Sequence, residues 1–258
     1  MAKRGQAAVF IIIGLIMAVS FILLGTANKE NTSKLEPETE NVRIDDSNIR
    51  AFAQFCVDTL AKNAVFYLGF VGGNLKNDVF PQFFHYDRFY RIPYYYYEGN
   101  SLILTEEGFK NLVLAKYMNE NLRKCTNNFK AFENLRIVDS SARTTVEMSD
   151  DEVTFNVKYP VSINRGFQVK NLEPNYKAVV NVRLKEIIQI AQKIVENEVV
   201  KDRYIHWDYL TDVSNNNYNI TAYTEDDNTI IYRVIDLENE IEKEPYIFQF
   251  GNKIKVKE

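Results

Sequence analysis

Residues 144–163 read TTVEMSDDEVTFNVKYPVSI. On either side of Ser149-Asp150-Asp151, Thr144 to Met148 and Glu152 to Ile163 alternate apolar and polar side chains. That is the period of a strand pair joined by a turn. Pro160 has no N–H to donate, so it ends the pairing or sits at an edge. Up to about Ile137 the apolar residues recur every three or four positions instead. This switch from a helical to a strand period within one stretch predicts an α+β fold.

Upstream, Asp45-Asp46-Ser47 offer capping oxygens and negative charge to a helix N-terminus. Ile49, Phe52, Ala53, Cys56, Leu60, Ala64, Tyr67, Leu68 and Val71 then form one stripe, which Gly72-Gly73 stops. Leu75 to Asn100 is aromatic and irregular. Pro81 and Pro93 argue against a helix there, and an extended hairpin or a packed loop is expected. Leu102 to Leu104 reads as a strand. Thr105-Glu106-Glu107 opens a second helix to about Cys125, with Phe109, Leu112, Ala115, Met118, Leu122 and Cys125 facing inward.

Downstream, Asn164-Arg165-Gly166 is a turn, and an amphipathic helix starts at Leu184 after a run from Tyr176 or Val179. Ile205 to Leu210 reads as a short helix or turn. Tyr218 to Thr224 and Thr229 to Asp236 form a hairpin around Glu225–Asn228. Tyr246 to Phe250 and Lys253 to Lys257 read as a last hairpin turning at Gly251-Asn252.

The 258 residues are 46% apolar and 26% charged, with 31 basic against 35 acidic side chains. That excludes a disordered chain and a disulfide-dense miniprotein, and speaks against nucleic acid as a partner. Much of the aliphatic content sits in Ala7–Gly25, AAVFIIIGLIMAVSFILLG, which carries no charge over 19 residues. As a helix this run spans about 28 Å, close to the hydrocarbon thickness of a bilayer. Lys3 and Arg4 precede it, so the positive-inside rule leaves the N-terminus in the cytoplasm and the remaining chain outside. A secretory signal cleaved near Gly25-Thr26-Ala27 is the competing reading. The expected organisation is a leader (1–5), a transmembrane helix (6–27), a polar linker or stalk (28–46) and an extracytoplasmic domain (47–258). That domain would hold two helices, antiparallel hairpins and one long helix.

Lys3-Arg4-Gly5-Gln6, set directly against the apolar run, resembles the class III signal peptides of archaeal type IV pilin-like proteins. The resemblance implies cleavage between Gly5 and Gln6 by a prepilin peptidase. It also implies that the apolar helix stays on as membrane anchor and filament-packing segment. The chain departs from the pattern at Phe10, where many members carry Glu. The stretch from Cys56-Val57-Asp58 to Gly69–Gly73 is also similar to membrane-anchored archaeal surface proteins with this leader, a likeness that implies no activity.

Cys56 and Cys125 are the two cysteines, one on each helix stripe. Outside the membrane they are expected to pair, the alternative being two buried thiols. His85 and Asp87, and His206 and Asp208, stand at i, i+2, the spacing that puts imidazole and carboxylate on one strand face. Two such pairs meeting would suit zinc or acid–base chemistry, and two His tips simply hydrogen-bonded among aromatics is the plainer reading. The sequence holds no G-x-S-x-G, Walker A, G-x-G-x-x-G or H-E-x-x-H motif, so no enzyme, cofactor or metal is expected. Glu196, Glu198, Glu238, Glu240, Glu242 and Glu244 read as solvated faces. Tyr94, Tyr95, Tyr96 and Tyr97 read either as an adaptable contact surface or as a strand with alternate rings buried. Asn31-Thr32-Ser33 and Asn219-Ile220-Thr221 are glycosylation sequons. Together these predict a single-pass surface protein with a structural or adhesive role, self-association or a surface partner, or else an anchored ligand-binding or sensory domain, and last of all an anchored hydrolase using the His-x-Asp pairs.

Overall fold

A computed structural model describes residues 46–74, 84–86, 91–165, 167–201, 205–226 and 228–255. The expected leader, transmembrane helix and linker lie outside these residues. Among the described residues, no helix is long and apolar enough to cross a membrane.

Helix α1 (Asp46–Phe70) buries Ile49, Ala53, Cys56, Val57, Leu60, Ala61, Ala64, Val65 and Leu68 on one face, close to the stripe read from sequence. It ends where Gly73, at φ +78°, lets its N–H reach back 2.7 Å to the Leu68 carbonyl. That satisfies an orphan acceptor of the last turn. After α1 come strands β1 (Phe84–Tyr86), β2 (Arg91–Tyr97) and β3 (Asn100–Ser101). β1 and β2 pair antiparallel, the hairpin expected of the aromatic segment. The strand expected at Leu102 to Leu104 does not form; β3 takes its place two residues earlier, and the Leu102 N–H closes on the Tyr95 carbonyl at 2.7 Å.

Residues 106–126 form one helical run (α2): an α-turn Glu106–Gly108, a π-helical stretch Phe109–Ala115 and an α-helix Lys116–Thr126. Thr105 caps it, its hydroxyl oxygen accepting from the Gly108 N–H at 3.1 Å. The π stretch corrects the stripe. Wider turns rotate the following residues, so Val113 and Leu114 are buried and Leu112 stands 53% exposed. Asn127, Asn128 and Phe129 leave the helix in left-handed conformations, an easy state for Asn.

Strands β4 (Arg136–Asp139), β5 (Arg143–Met148), β6 (Val153–Lys158), β7 (Val161–Arg165), β8 (Gln168–Asn171) and β9 (Asn175–Val180) follow. They form two three-stranded antiparallel sheets, β5-β6-β9 and β4-β7-β8. Pro160 stands at the passage from β6 to β7, where the chain leaves one sheet for the other. Helices α3 (Leu184–Val200) and α4 (Trp207–Ser214) precede β10 (Tyr218–Asp226), β11 (Thr229–Ile241) and β12 (Glu244–Lys253). The third sheet runs β1-β2-β12-β11-β10, with β3 on β2; β2 and β12 are parallel and the other pairs antiparallel. The architecture is mixed α+β.

The expected final hairpin is wrong. Gly251-Asn252 is no turn but lies inside β12, opposite Ile231 and Ile230 of β11 and beside β2. A Cβ on Gly251 would come within 3.0 Å of the Tyr94 ring, so glycine is there for close approach. The real turn is Glu242-Lys243, both at positive φ, joining β11 to β12.

The core centres on aromatic rings from distant elements. Tyr95 stacks on Phe250 at 4.8 Å and Phe250 on Tyr232 at 5.3 Å. Helix α1 crosses β12 so closely that a Cβ on Gly69 would lie 2.7 Å from Tyr246 Oη and closer still to the Ile247 carbonyl oxygen. Tyr246 Oη donates to the Val65 carbonyl at 3.1 Å, and Gln249 Nε2 donates to that of Phe70. At the start of α3, Arg183 grips Asp236 with two N–H groups, at 3.1 and 2.5 Å, and lies 4.2 Å over the Tyr218 ring. Asp236 is fully buried. Burial opposes its charge, but hydrogen bonds from Arg183, the Glu238 N–H and Asn239 prevail and hold its carboxyl below the usual range.

Candidate functional site

Residues singled out from the sequence are scattered. Cys56 and Cys125 form a disulfide between α1 and α2, with Cα atoms 5.8 Å apart. Gly5, Gln6, Asn31 and Asp87 lie outside the described residues. Asn219 is exposed on β10, an edge strand of the large sheet. His85 lies on β1, opposite Ile92. His206 precedes α4, with Asp208 exposed on the first turn.

The contact surface expected of the tyrosine run is overturned at three of its four positions. Tyr94, Tyr95 and Tyr96 are 8%, 0% and 2% exposed. β2 is an inner strand, with β1 and β3 on one edge and β12 on the other, and the unbroken burial from Ile92 to Tyr96 shows that both of its faces are covered. Tyr95 Oη donates to the Gly72 carbonyl at 3.0 Å, and burial pushes its hydroxyl well above the ordinary tyrosine value. These rings are core.

Glu198 is also no solvated residue: it is 1% exposed. Its carboxylate accepts from Tyr232 Oη at 2.6 Å and from Asn252 Nδ2 at 2.9 Å. Its neighbours on α3 explain this, because Ile194 and Val195 put position 198 on the buried stripe. The sequence signal was a carboxylate in phase with aliphatic residues. Burial, then the Glu198 charge and the hydrogen bond to it, push the Tyr232 hydroxyl far up. Beside this pair, Glu198, His206, Tyr209 and Tyr232 bound a cavity of about 10 Å³. Such a space holds at most one water. It is too small to admit a substrate, so the cluster joins α3 to the sheet and offers no room for chemistry.

A larger concavity, about 670 Å³ and broadly open, lies along the β5-β6-β9 sheet beside α1. Strand alternation builds it. Val146, Phe155 and Ala178 point inward, while Arg143, Thr145, Lys158 and Lys177 point out. Register sets them in rows: Arg143 opposite Lys158 opposite Asn175, and Thr145 opposite Asn156 opposite Lys177. β9 is an edge strand with orphan carbonyls, and α1 covers them. Arg50 donates to the carbonyls of Glu173 and Asn175 at 2.5 and 3.0 Å, and Gln54 to that of Lys177 at 2.9 Å. This answers the edge-strand hazard with side chains one helical turn apart.

Four cationic side chains and no carboxylate line the concavity. Arg50 is engaged with backbone and lies 5.0 Å over the Tyr176 ring. Arg143, Lys158 and Lys177 have no ion-pair partner among the described residues. Two carboxylates stand just beyond the lining: Glu147 accepts from Asn156 Nδ2 at 3.1 Å and Glu173 from Asn175 Nδ2 at 2.7 Å. Tyr176 is 3% exposed, and its hydroxyl has no hydrogen-bond partner. No group of three or more metal-ligating side chains occurs among the described residues.

No protein-family model, curated protein or solved structure matches this chain.

Proposed function

We propose that the chain is a membrane-anchored surface protein whose folded domain works outside the cytoplasm as a structural or adhesive, non-enzymatic module. The observation that carries this is the disulfide between Cys56 and Cys125. Such bonds persist in oxidising compartments and are rare in the cytosol. The uncharged run Ala7–Gly25 behind Lys3-Arg4 supports the same topology, with the lipid bilayer as partner of residues 7–25. Cleavage between Gly5 and Gln6 by a prepilin peptidase, and assembly with further copies, belong to this reading through the leader's resemblance. A second reading, an anchored ligand-binding or sensory domain, is favoured by the cationic concavity beside α1.

Protease treatment of intact cells, combined with N-terminal sequencing of the membrane fraction, tests the proposal. Removal of the domain from whole cells, with Cys56 and Cys125 oxidised in non-reducing mass mapping, is the expected result. A protected domain with free thiols would place it in the cytoplasm and end the proposal. An intact Met1 would end the pilin-like processing alone. Filaments in electron micrographs favour the structural role, and a dispersed membrane protein favours the binding domain.

A further inference from the structure

We infer that the concavity on the β5-β6-β9 sheet is a binding site for an acidic polysaccharide. Arg143, Lys158 and Lys177 supply the charge, and Thr145 and Asn156 supply hydrogen bonds. The ligand's location rests on the exterior reading proposed above; its chemistry rests on the site.

Four features set the class of ligand. First, the charge is local and mostly positive, four lining cations against the Glu147 and Glu173 carboxylates just beyond the lining. The whole chain is net −4, yet this concavity presents cations without a lining carboxylate. One-sign clefts concentrate opposite charge. Second, the cations are spread along strands, not gathered at a point. Arg143 and Lys158 share one row and Lys177 stands two residues along, about 6.8 Å further at strand rise. A polymer that repeats a carboxylate or sulfate along its length can engage all three at once. Third, hydroxyl and amide groups stand between the cations. Thr145 and Asn156 face outward in the same row as Lys177. A ligand that carries hydroxyls beside its charges answers both. Fourth, the site lacks what a nucleic acid requires. Its one aromatic ring, Tyr176, is buried and overlaid by Arg50, leaving no exposed face on which a base could stack.

The test uses the purified full-length chain in detergent, with polygalacturonate as probe, neutral dextran and a thymidine oligonucleotide as comparators, and affinity read by calorimetry or interferometry. Polygalacturonate is expected to bind and dextran not to. Affinity should fall steeply from about 0.1 M to about 1 M salt, as the screening length shrinks from about 10 Å to about 3 Å. Arg143→Gln, Lys158→Gln and Lys177→Gln combined should weaken binding at least about tenfold, with an unchanged melting temperature. Lys177→Gln alone, an exposed change, keeps the test open if the triple variant is poorly folded; it should weaken binding about threefold. No binding of polygalacturonate, salt-insensitive binding, or affinity undiminished in the cation variants would overturn the inference. Equal affinity for the oligonucleotide would overturn it in favour of a general polyanion site. None of these outcomes depends on where the protein resides, so the anchoring proposal fails or stands separately through the protease experiment.

Discussion

Gly69→Ala sets two principles against each other. Gly69 belongs to α1, and inside a helix alanine is favoured over glycine by about 0.5–1 kcal/mol. By propensity the change stabilises. Packing gives the opposite sign. A Cβ at this position would lie 2.7 Å from Tyr246 Oη, 2.8 Å from its ring carbon Cζ, and closer still to the backbone oxygen of Ile247. The backbone of β12 cannot turn aside as a flexible side chain can, so helix and sheet must part. Overpacking of this kind costs about 1–3 kcal/mol. Parting them also strips the Tyr246–Val65 hydrogen bond from a fully buried hydroxyl, which costs about 1–3 kcal/mol more. After the propensity gain is subtracted, the net loss is about 3 kcal/mol. For a unit spanning Asp45–Glu258, each kcal/mol moves the midpoint about 2–4 °C, so thermal unfolding followed by circular dichroism should fall about 6–12 °C. A cycle with Tyr246→Phe sharpens the test. Removing Oη relieves part of the clash, so the double variant should lose less than the sum of the singles by at least about 0.5 kcal/mol. A midpoint that rises or stays put in Gly69→Ala would refute the close crossing of α1 over β12.

Three further outcomes are expected. Replacing Cys56 and Cys125 together by Ser opens a closure between residues 69 apart. It should cost about 4 kcal/mol on the chain-entropy model, and a melting midpoint unmoved by reductant would contradict the bond. Asp236 binds a proton less readily folded than unfolded, so its contribution is complete above the ordinary aspartate pKa of about 3.9 and fades as pH falls below it. Asp236→Asn should therefore cost about 3 kcal/mol at neutral pH, with the gap to wild type narrowing in melts below about pH 4; a constant gap would refute the assignment. Burial raises the hydroxyls of Tyr95, Tyr232 and Tyr246, so the unfolded chain ionises first and stability falls as pH climbs past about 10. Tyrosinate absorbance should then rise for these rings only together with the unfolding transition, and an early, non-cooperative rise would count against their burial.

The elements were legible where one face was apolar and the other not. α1 and α3, and the β5–β6 pair around Ser149–Asp151, follow directly from period and turn chemistry. The errors share a cause: a residue whose role is set from across the fold. Gly251 has the composition of a turn but makes room for the Tyr94 ring, while the turn itself falls on Glu242-Lys243, which carry no turn signal. Leu112 was in phase for an α-helix and out of phase once the π stretch widened the turn. The tyrosine run advertised hydroxyls and hid the fact that both faces of β2 are covered. The disulfide was readable because both cysteines sat on apolar stripes. The cationic concavity was not readable, because Arg143, Lys158 and Lys177 each look like an ordinary solvated position until register brings three strands side by side.

That concavity is built so that its shape and its chemistry depend on different atoms. β9, its edge, is held by Arg50 and Gln54 of α1, and their partners are backbone carbonyls. Whatever side chains stand outward at 175 and 177, those carbonyls remain. The inward residues Phe155, Val157, Ala178 and Val180 are buried against the helices and hold the sheet without help from the outer face. Cys56 then ties α1 to α2 two residues beyond Gln54, so the helix that supports the edge is itself covalently anchored. Outward substitutions can thus change what the surface attracts while the fold stays as it is, the usual small effect of surface changes on stability. The same separation makes the charge-removal variants informative: they strip cations from a scaffold that does not need them.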